Sequence, residues 1–328
     1  MPSPRPRPSF DELPLDKSGP PGNAWGLYGD DDVLGALNLL TPEVIAQAAR
    51  ENIQTGQRVA LDWQLNKPSR PSFDRPAFQW TLRPSSPAAQ QAINDDHLSF
   101  NTQCSSQWDG FRHFGYQKAR RFYGGRTQGD IEGSAVLGID AWAASGGIVG
   151  RGVLLDYVSF CERRHLPTVD ALASASIPLA HLQAMARDAD VAFRPGDILF
   201  IRCGFTKAYN ALDEAGQHAL PDRPTPDFLG VEPSKDTLRW LWESGFAAVA
   251  GDAPSFEQAP PWEHDMRWGG LLHQWLLAGW GVPIGEMFDL EELSVRCKEL
   301  GRWTFFLSSV PLNVPGGVAT PPNAVAIF

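Results

Sequence analysis

The chain has 328 residues, 43% hydrophobic and 20% charged, with 38 acidic side chains against 28 basic and a formal net charge of −10. That supplies a large core for one big domain or two ordinary ones, and it excludes a nucleic-acid partner, since no Lys/Arg stripe is present, and a membrane span, since every apolar run is short. Cys104, Cys161, Cys203 and Cys297 are scattered without a C-x-x-C pair and the N-terminus lacks an apolar signal core, so the expectation is a cytoplasmic chain with reduced thiols.

Residues 1–22 hold prolines at 2, 4, 6, 8, 14, 20 and 21, which read as an extended arm, disordered or laid across a neighbouring surface. The rest, 23–328, is expected to form one catalytic domain. Thr41 as N-cap, Pro42 at the first helical position and Gly56 as stop predict a helix between them. NKPSRPSFDRPAFQWTLRPSSP, over 66–87, reads as a long surface loop. Beyond residue 150, apolar runs alternate with helical patterns. Strands are expected over 152–158, 246–251 and 302–310, a turn leading into a strand over 194–204, and helices over 177–191 and 234–245. LLHQWLLAGWG (271–281) would be a largely buried helix, and DLEELSVRCKEL (289–300) a helix opened by an Asp289–Glu292 capping box. The mixture argues for an α/β or α+β fold.

QCSSQWDGFRH, residues 103–113, sets Asp109 four residues before His113, with Gln103 and Gln107 upstream at the same spacing. A lone D-x-x-x-H is a weak signal, most simply a surface Asp and a structural His. Two other places add to it. His273 interrupts an apolar helix and Glu286 sits in the apolar PIGEMF, and buried imidazoles and carboxylates need partners or a cation. Asp109, His113, His273 and Glu286 together would make an N/O ligand set suited to Zn²⁺, Mn²⁺ or a similar divalent ion. Asp252, just past the strand FAAVAG, stands where open α/β sheets place binding residues. Trp25, Phe114 and Trp262 offer aromatic surface, with Trp262 in a loop over 255–270 that reads as a lid, and Arg202 at a strand end offers a carboxylate clamp.

These segments resemble the metal-dependent cyclase family, which includes bacterial kynurenine formamidase, isatin hydrolase and some lactone hydrolases. QCSSQWDGFRH lies without a gap on that family's H-x-G-T-H-x-D-x-P-x-H, and AWGLYGDDDVLGALNLLTPE, GRGVLLD, RPGDILFIRCG, AVAGDAPSFE, HQWLLAGWGVPIGEMFDLEEL and PLNVPGG extend the likeness from residue 25 to the C-terminus. The resemblance implies a compact α/β domain with a small barrel-like β core and helices outside, in a homodimer or homotetramer. It implies Gln103 and Gln107 at two metal-binding histidine positions, Asp109, His273 and Glu286 as further ligands, and His113 as the acid–base residue. The two carboxamides are the departure. Q-x-S-S-Q-x-D-G-x-x-H resembles a variant branch, and its weaker, harder oxygen donors would favour Mn²⁺ or Mg²⁺ more than the parent site.

The leading expectation is a hydrolase of an amide, formamide, cyclic imide or lactone in a small molecule, with His113 and Glu286 catalytic. Two alternatives stay open: a metal-free lyase, cyclase or isomerase using the same pair, and a non-catalytic ligand-binding relative.

Overall fold

A computed structural model describes residues 7–85, 91–167, 169–260 and 271–328. Its strands are β1 Arg58–Ala60, β2 Gln79–Pro84, β3 Asn94–Ser99, β4 Gln107–Asp109, β5 Ile148–Asp156, β6 Ala175–Ile177, β7 Ile198–Arg202, β8 Leu229–Val231, β9 Ala248–Gly251, β10 Ile284–Glu286, β11 Thr304–Ser309, β12 Ala319–Thr320 and β13 Ala324–Ile327. The α-helices are α1 Pro42–Asn52, α2 Gln128–Gly133, α3 Asp140–Ala144, α4 Tyr157–Arg164, α5 Leu179–Asp188, α6 Phe205–Ala211, α7 Glu214–Ala219, α8 Lys235–Ser244 and α9 Glu291–Leu300, with a π-helical segment Gln274–Trp280 before β10. None of these helices is long and apolar enough to cross a membrane.

A nine-stranded sheet runs β1-β13-β11-β5-β7-β9-β10-β4-β12, parallel from β5 to β10 and antiparallel on both flanks. It is strongly curled into a half-barrel, the mixed α/β single domain the sequence predicts. The parallel strands β7 and β9 are buried at every residue, as strands covered on both faces must be. Where β4 pairs antiparallel with β10, Trp108 lies opposite Gly285 and packs edge-on against Phe288 and Phe200. Gly285 is required there, because a Cβ would come within 2.6–2.9 Å of Phe288, Ala250 and Trp108.

Several expected elements keep their place with shifted ends. The strand over 152–158 starts earlier and stops at Asp156, whose carboxylate caps the next helix by accepting from Ser159 N at 3.0 Å. Helix α8 has the expected Ser234 cap and Gly245 in the left-handed conformation. Helix α1 ends at Asn52, four residues before Gly56. The capping box at 289–300 does not form: Glu292 pairs instead with Arg296 at 3.1 Å, and α9 begins at Glu291. Part of the expected long loop is strand β2, which forms a hairpin with β3. Residues 7–22 of the arm pack on the chain's own body. Phe10 is buried beside Trp275 and Trp280, Trp242 Nε1 donates to the Pro8 carbonyl at 2.8 Å, and Asp11 pairs with Arg239 at 2.6 Å.

Candidate active site

The register of β4 on β10 assembles the site. Side chains alternate along a strand, so Gln107 and Asp109 share one face while Trp108 turns into the core. Glu286 lies directly opposite Gln107, and Ile284 opposite Asp109. His273, immediately before the π-helical segment, brings an imidazole to the same place. Its Nε2 stands 3.1 Å from Glu286 Oε1 and 3.7 Å from Asp109 Oδ2. His113 Nε2 approaches the same Asp109 oxygen at 4.0 Å, one helical turn's worth of sequence away.

The two glutamines clamp the carboxylates. Gln107 Nε2 donates to Glu286 Oε2 at 2.9 Å and to Gln103 Oε1 at 3.1 Å, and Gln103 Nε2 donates to Asp109 Oδ1. Two buried acceptors remain without a hydrogen bond, Asp109 Oδ2 and Gln107 Oε1. An anionic oxygen sealed from water at no more than van der Waals range of its neighbours is costly unless a cation takes it.

His273 is oriented by a residue that the sequence reading missed. Glu257 Oε2 lies 2.6 Å from His273 Nδ1, and Glu257 Oε1 accepts from the His273 backbone N–H at 3.2 Å. A carboxylate on Nδ1 leaves Nε2 free to face Asp109 and Glu286, the carboxylate–histidine arrangement found behind metal ligands. Asp109, His273 and Glu286 each offer a ligand atom within 4.8 Å of the others. Donor set, orphaned oxygens and oriented imidazole together fit a divalent ion. Gln107 Oε1 is free to join it, whereas Gln103 Oε1 is already occupied by Gln107.

The charges reinforce one another. Burial opposes an imidazolium at His273, but the carboxylates of Glu257, Asp109 and Glu286 outweigh it and hold its pKa well above the usual histidine value. Burial and then the Asp109 charge push Glu286 up to about 7. For Asp109 burial again disfavours charge, yet His113 and His273 hold the carboxyl below its ordinary value. His113 runs the other way: burial, opposed by Asp109 and reinforced by His273 and Arg75, lowers its pKa and keeps it neutral near neutral pH.

A cavity of about 380 Å³ opens onto this cluster, walled by His113, Phe114, His273, Glu286, Phe73 and Arg75. Phe114 stands edge-on to His273 at 5.5 Å between centroids. The remaining expected contacts lie elsewhere. Asp252 is fully buried, and its oxygens accept from the Cys203, Gly204 and Phe205 amides at 2.7–3.0 Å, so it anchors the start of α6 rather than facing a ligand. Arg202 is held in the interior between Asp156 at 2.8 Å and Glu291 at 2.7 Å, leaving no fork for a substrate. Trp25 donates Nε1 to the Ala278 carbonyl at 2.7 Å and lines a separate open groove of about 1050 Å³ with Tyr116 and Gln274. Trp262 and the rest of 261–270 in the expected lid fall outside the described residues.

Comparison with known proteins gives a consistent relationship. The model of the Cyclase family, described as "Putative cyclase", matches residues 63–258. A crystal structure described as a novel cyclase superposes with a TM-score of 0.80 at 31% identity, over 93% of this chain and 99% of that one. Isatin hydrolase A from Labrenzia aggregata, bound to benzyl benzoate, superposes with a TM-score of 0.58 at 14% identity, over 89% of this chain and 98% of that one. Isatin hydrolase A from Ralstonia solanacearum gives 0.55 at 16%, over 88% and 97%. Among curated proteins none matches the chain.

Proposed function

The chain belongs to the cyclase family, and from that premise we propose that it is a metal-dependent hydrolase of a carbonyl C–N or C–O bond in a small amide, formamide, cyclic imide or lactone. The observation that carries this reading is Asp109 Oδ2, buried, unbonded, and facing His273 Nε2 and Glu286 Oε1. Hydrolysis is also the activity that the isatin hydrolases sharing the fold carry in their names.

Asp109, His273 and Glu286 would hold the ion, with Gln107 Oε1 as a further oxygen donor, a set suited to Mn²⁺, Mg²⁺ or Zn²⁺. Such an ion supplies Lewis acidity toward the substrate carbonyl and lowers the pKa of water from 15.7 to about 7 in favourable cases. His113 is neutral and lines the cavity without being needed as a ligand, so it takes a proton from the attacking water and returns it to the departing nitrogen or oxygen. Glu257 fixes the tautomer of His273, while Gln103 and Gln107 hold both carboxylates in register. Phe114 and Phe73 add aromatic wall to the cavity beside the reacting centre.

A metal-free proton-transfer reaction is the second reading. The glutamine amides already satisfy one oxygen of each carboxylate, and Glu286 titrates near neutrality, so Glu286 and His113 form an acid–base pair unaided. A screen of formamides, lactones and cyclic imides, with EDTA or with added Mn²⁺, separates the two. Turnover that requires the ion supports the hydrolase, and turnover indifferent to EDTA supports the second reading.

The homodimer or homotetramer is part of the proposal. Trp80, Leu82 and Leu98 lie exposed on one face of the β2–β3 hairpin, in support of a partner copy.

A further inference from the structure

We propose that Arg75 is an anion clamp in the cleft, so that the substrate carries a carboxylate. This rests on the hydrolase reading of that cleft. Among the described residues the cavity wall contains two acids, Glu257 and Glu286, and Arg75 is its one permanent cation. Several arginines elsewhere in the chain are held by acids. Arg70, Arg151, Arg164, Arg202 and Arg239 each have a carboxylate oxygen at 2.5–2.8 Å. Arg75 has no carboxylate partner among the described residues. Its only hydrogen bond among the described residues runs from Nη1 to the Gln103 carbonyl at 3.1 Å.

That single bond decides which edge is available. With Nη1 tied to the backbone, the Nε and Nη2 donors have no partner among the described residues, and these two form the side-on fork that matches both oxygens of a carboxylate. The guanidinium is held further by the Phe73 ring, 4.9 Å from its carbon to the centroid. The backbone leading to it is costly. Phe73 and Asp74 both adopt positive φ, at 64° and 54°, a conformation that side chains rarely accept and that a core-packing role would not require of an exposed Phe. Sequence reading passed over Arg75 because it sits among prolines in a stretch that looked like surface loop.

A neutral and an acidic probe that differ only in the carboxylate test the clamp. Formanilide and 3-formamidobenzoate are titrated calorimetrically into the full, EDTA-treated chain, where no ion can coordinate the acid. The clamp predicts that the acid binds about ten- to a hundredfold tighter, the range of a charge-assisted pair. Arg75→Gln should abolish that advantage, and Arg75→Lys should keep only part of it, since an ammonium lacks the fork. An acid that binds no better than formanilide, including the case in which neither binds, overturns the proposal. So does an advantage that survives Arg75→Gln. Deformylation by the Mn²⁺-loaded chain is scored separately. Cleavage of both probes without dependence on Arg75 would discard the clamp and keep the hydrolase. Arg75-dependent binding without hydrolysis of any amide, formamide or lactone would do the reverse.

Discussion

Gln107 faces Glu286 across the β4–β10 ladder and donates Nε2 to its carboxylate at 2.9 Å, while its own carbonyl oxygen is buried without a partner. One side chain thus restrains the Glu286 carboxylate and leaves a buried acceptor oxygen of its own. Replacing it with the imidazole found at this position in the wider family should change which ion is preferred. Gln107→His is expected to raise affinity for Zn²⁺ relative to Mn²⁺, because imidazole nitrogen is the softer donor. Competition titration of the two ions against wild type and variant reads the ratio, and an unchanged ratio would show that residue 107 does not reach the ion.

Glu257 should matter without touching an ion. Its bond to His273 Nδ1 at 2.6 Å sets the ring's tautomer and direction. Glu257→Gln is expected to weaken Mn²⁺ binding about ten- to a hundredfold, the usual cost of losing such a support. Equal affinity in the two proteins would mean that the helix alone orients the imidazole.

His113 should separate binding from turnover. Removing it as His113→Ala is expected to lower kcat by about a hundred- to ten-thousand-fold while Mn²⁺ still binds. Parallel loss of both would make it a ligand, and loss of neither would remove it from the chemistry.

The legible part of this site was the part written as local motif. Asp109, His113, His273 and Glu286 stood out because each interrupts an apolar or patterned stretch, and the structure brings all four together. Glu257 was hidden because its role depends on where the chain returns after β9, and an acid in SFEQAPP gives no local sign of that. A single acid in the otherwise uncharged APSFEQAPP just past β9 was the available signal. Asp252 and Arg202 obeyed the strand-end rule in position, but the backbone amides opening α6 and the acids Asp156 and Glu291 claimed their side chains first. The β2–β3 hairpin was obscured by its flanking prolines, although Trp80 and Leu82 show the period-two spacing of a strand.

The Arg202–Asp156 pair gives a stability prediction with a defined pH window. Burial disfavours the Asp156 charge, yet Arg202, the Ser159 amide and the Ser159 and Ser294 hydroxyls hold its carboxyl below the usual value. A depressed carboxylate pKa stabilises the fold above the unfolded value, about 3.9, and that contribution disappears as pH falls through the folded value. Arg202→Met should therefore cost about 3–5 kcal/mol at pH 7 by stranding the buried Asp156 carboxylate, and the difference should shrink as pH falls, because the unpaired carboxyl in the variant titrates above its usual value and is relieved by protonation. Urea midpoints across pH 3–7 check this, and a gap that stays constant down to pH 4 would contradict it.

The central claim is that Asp109, His273 and Glu286 hold one divalent ion. Calorimetric titration of EDTA-treated chain with Mn²⁺ tests it most directly, with Asp109→Ala run in parallel. One ion per chain in the wild type and none in the variant is the expected result. No binding to the wild type, or undiminished binding to Asp109→Ala, would contradict the account.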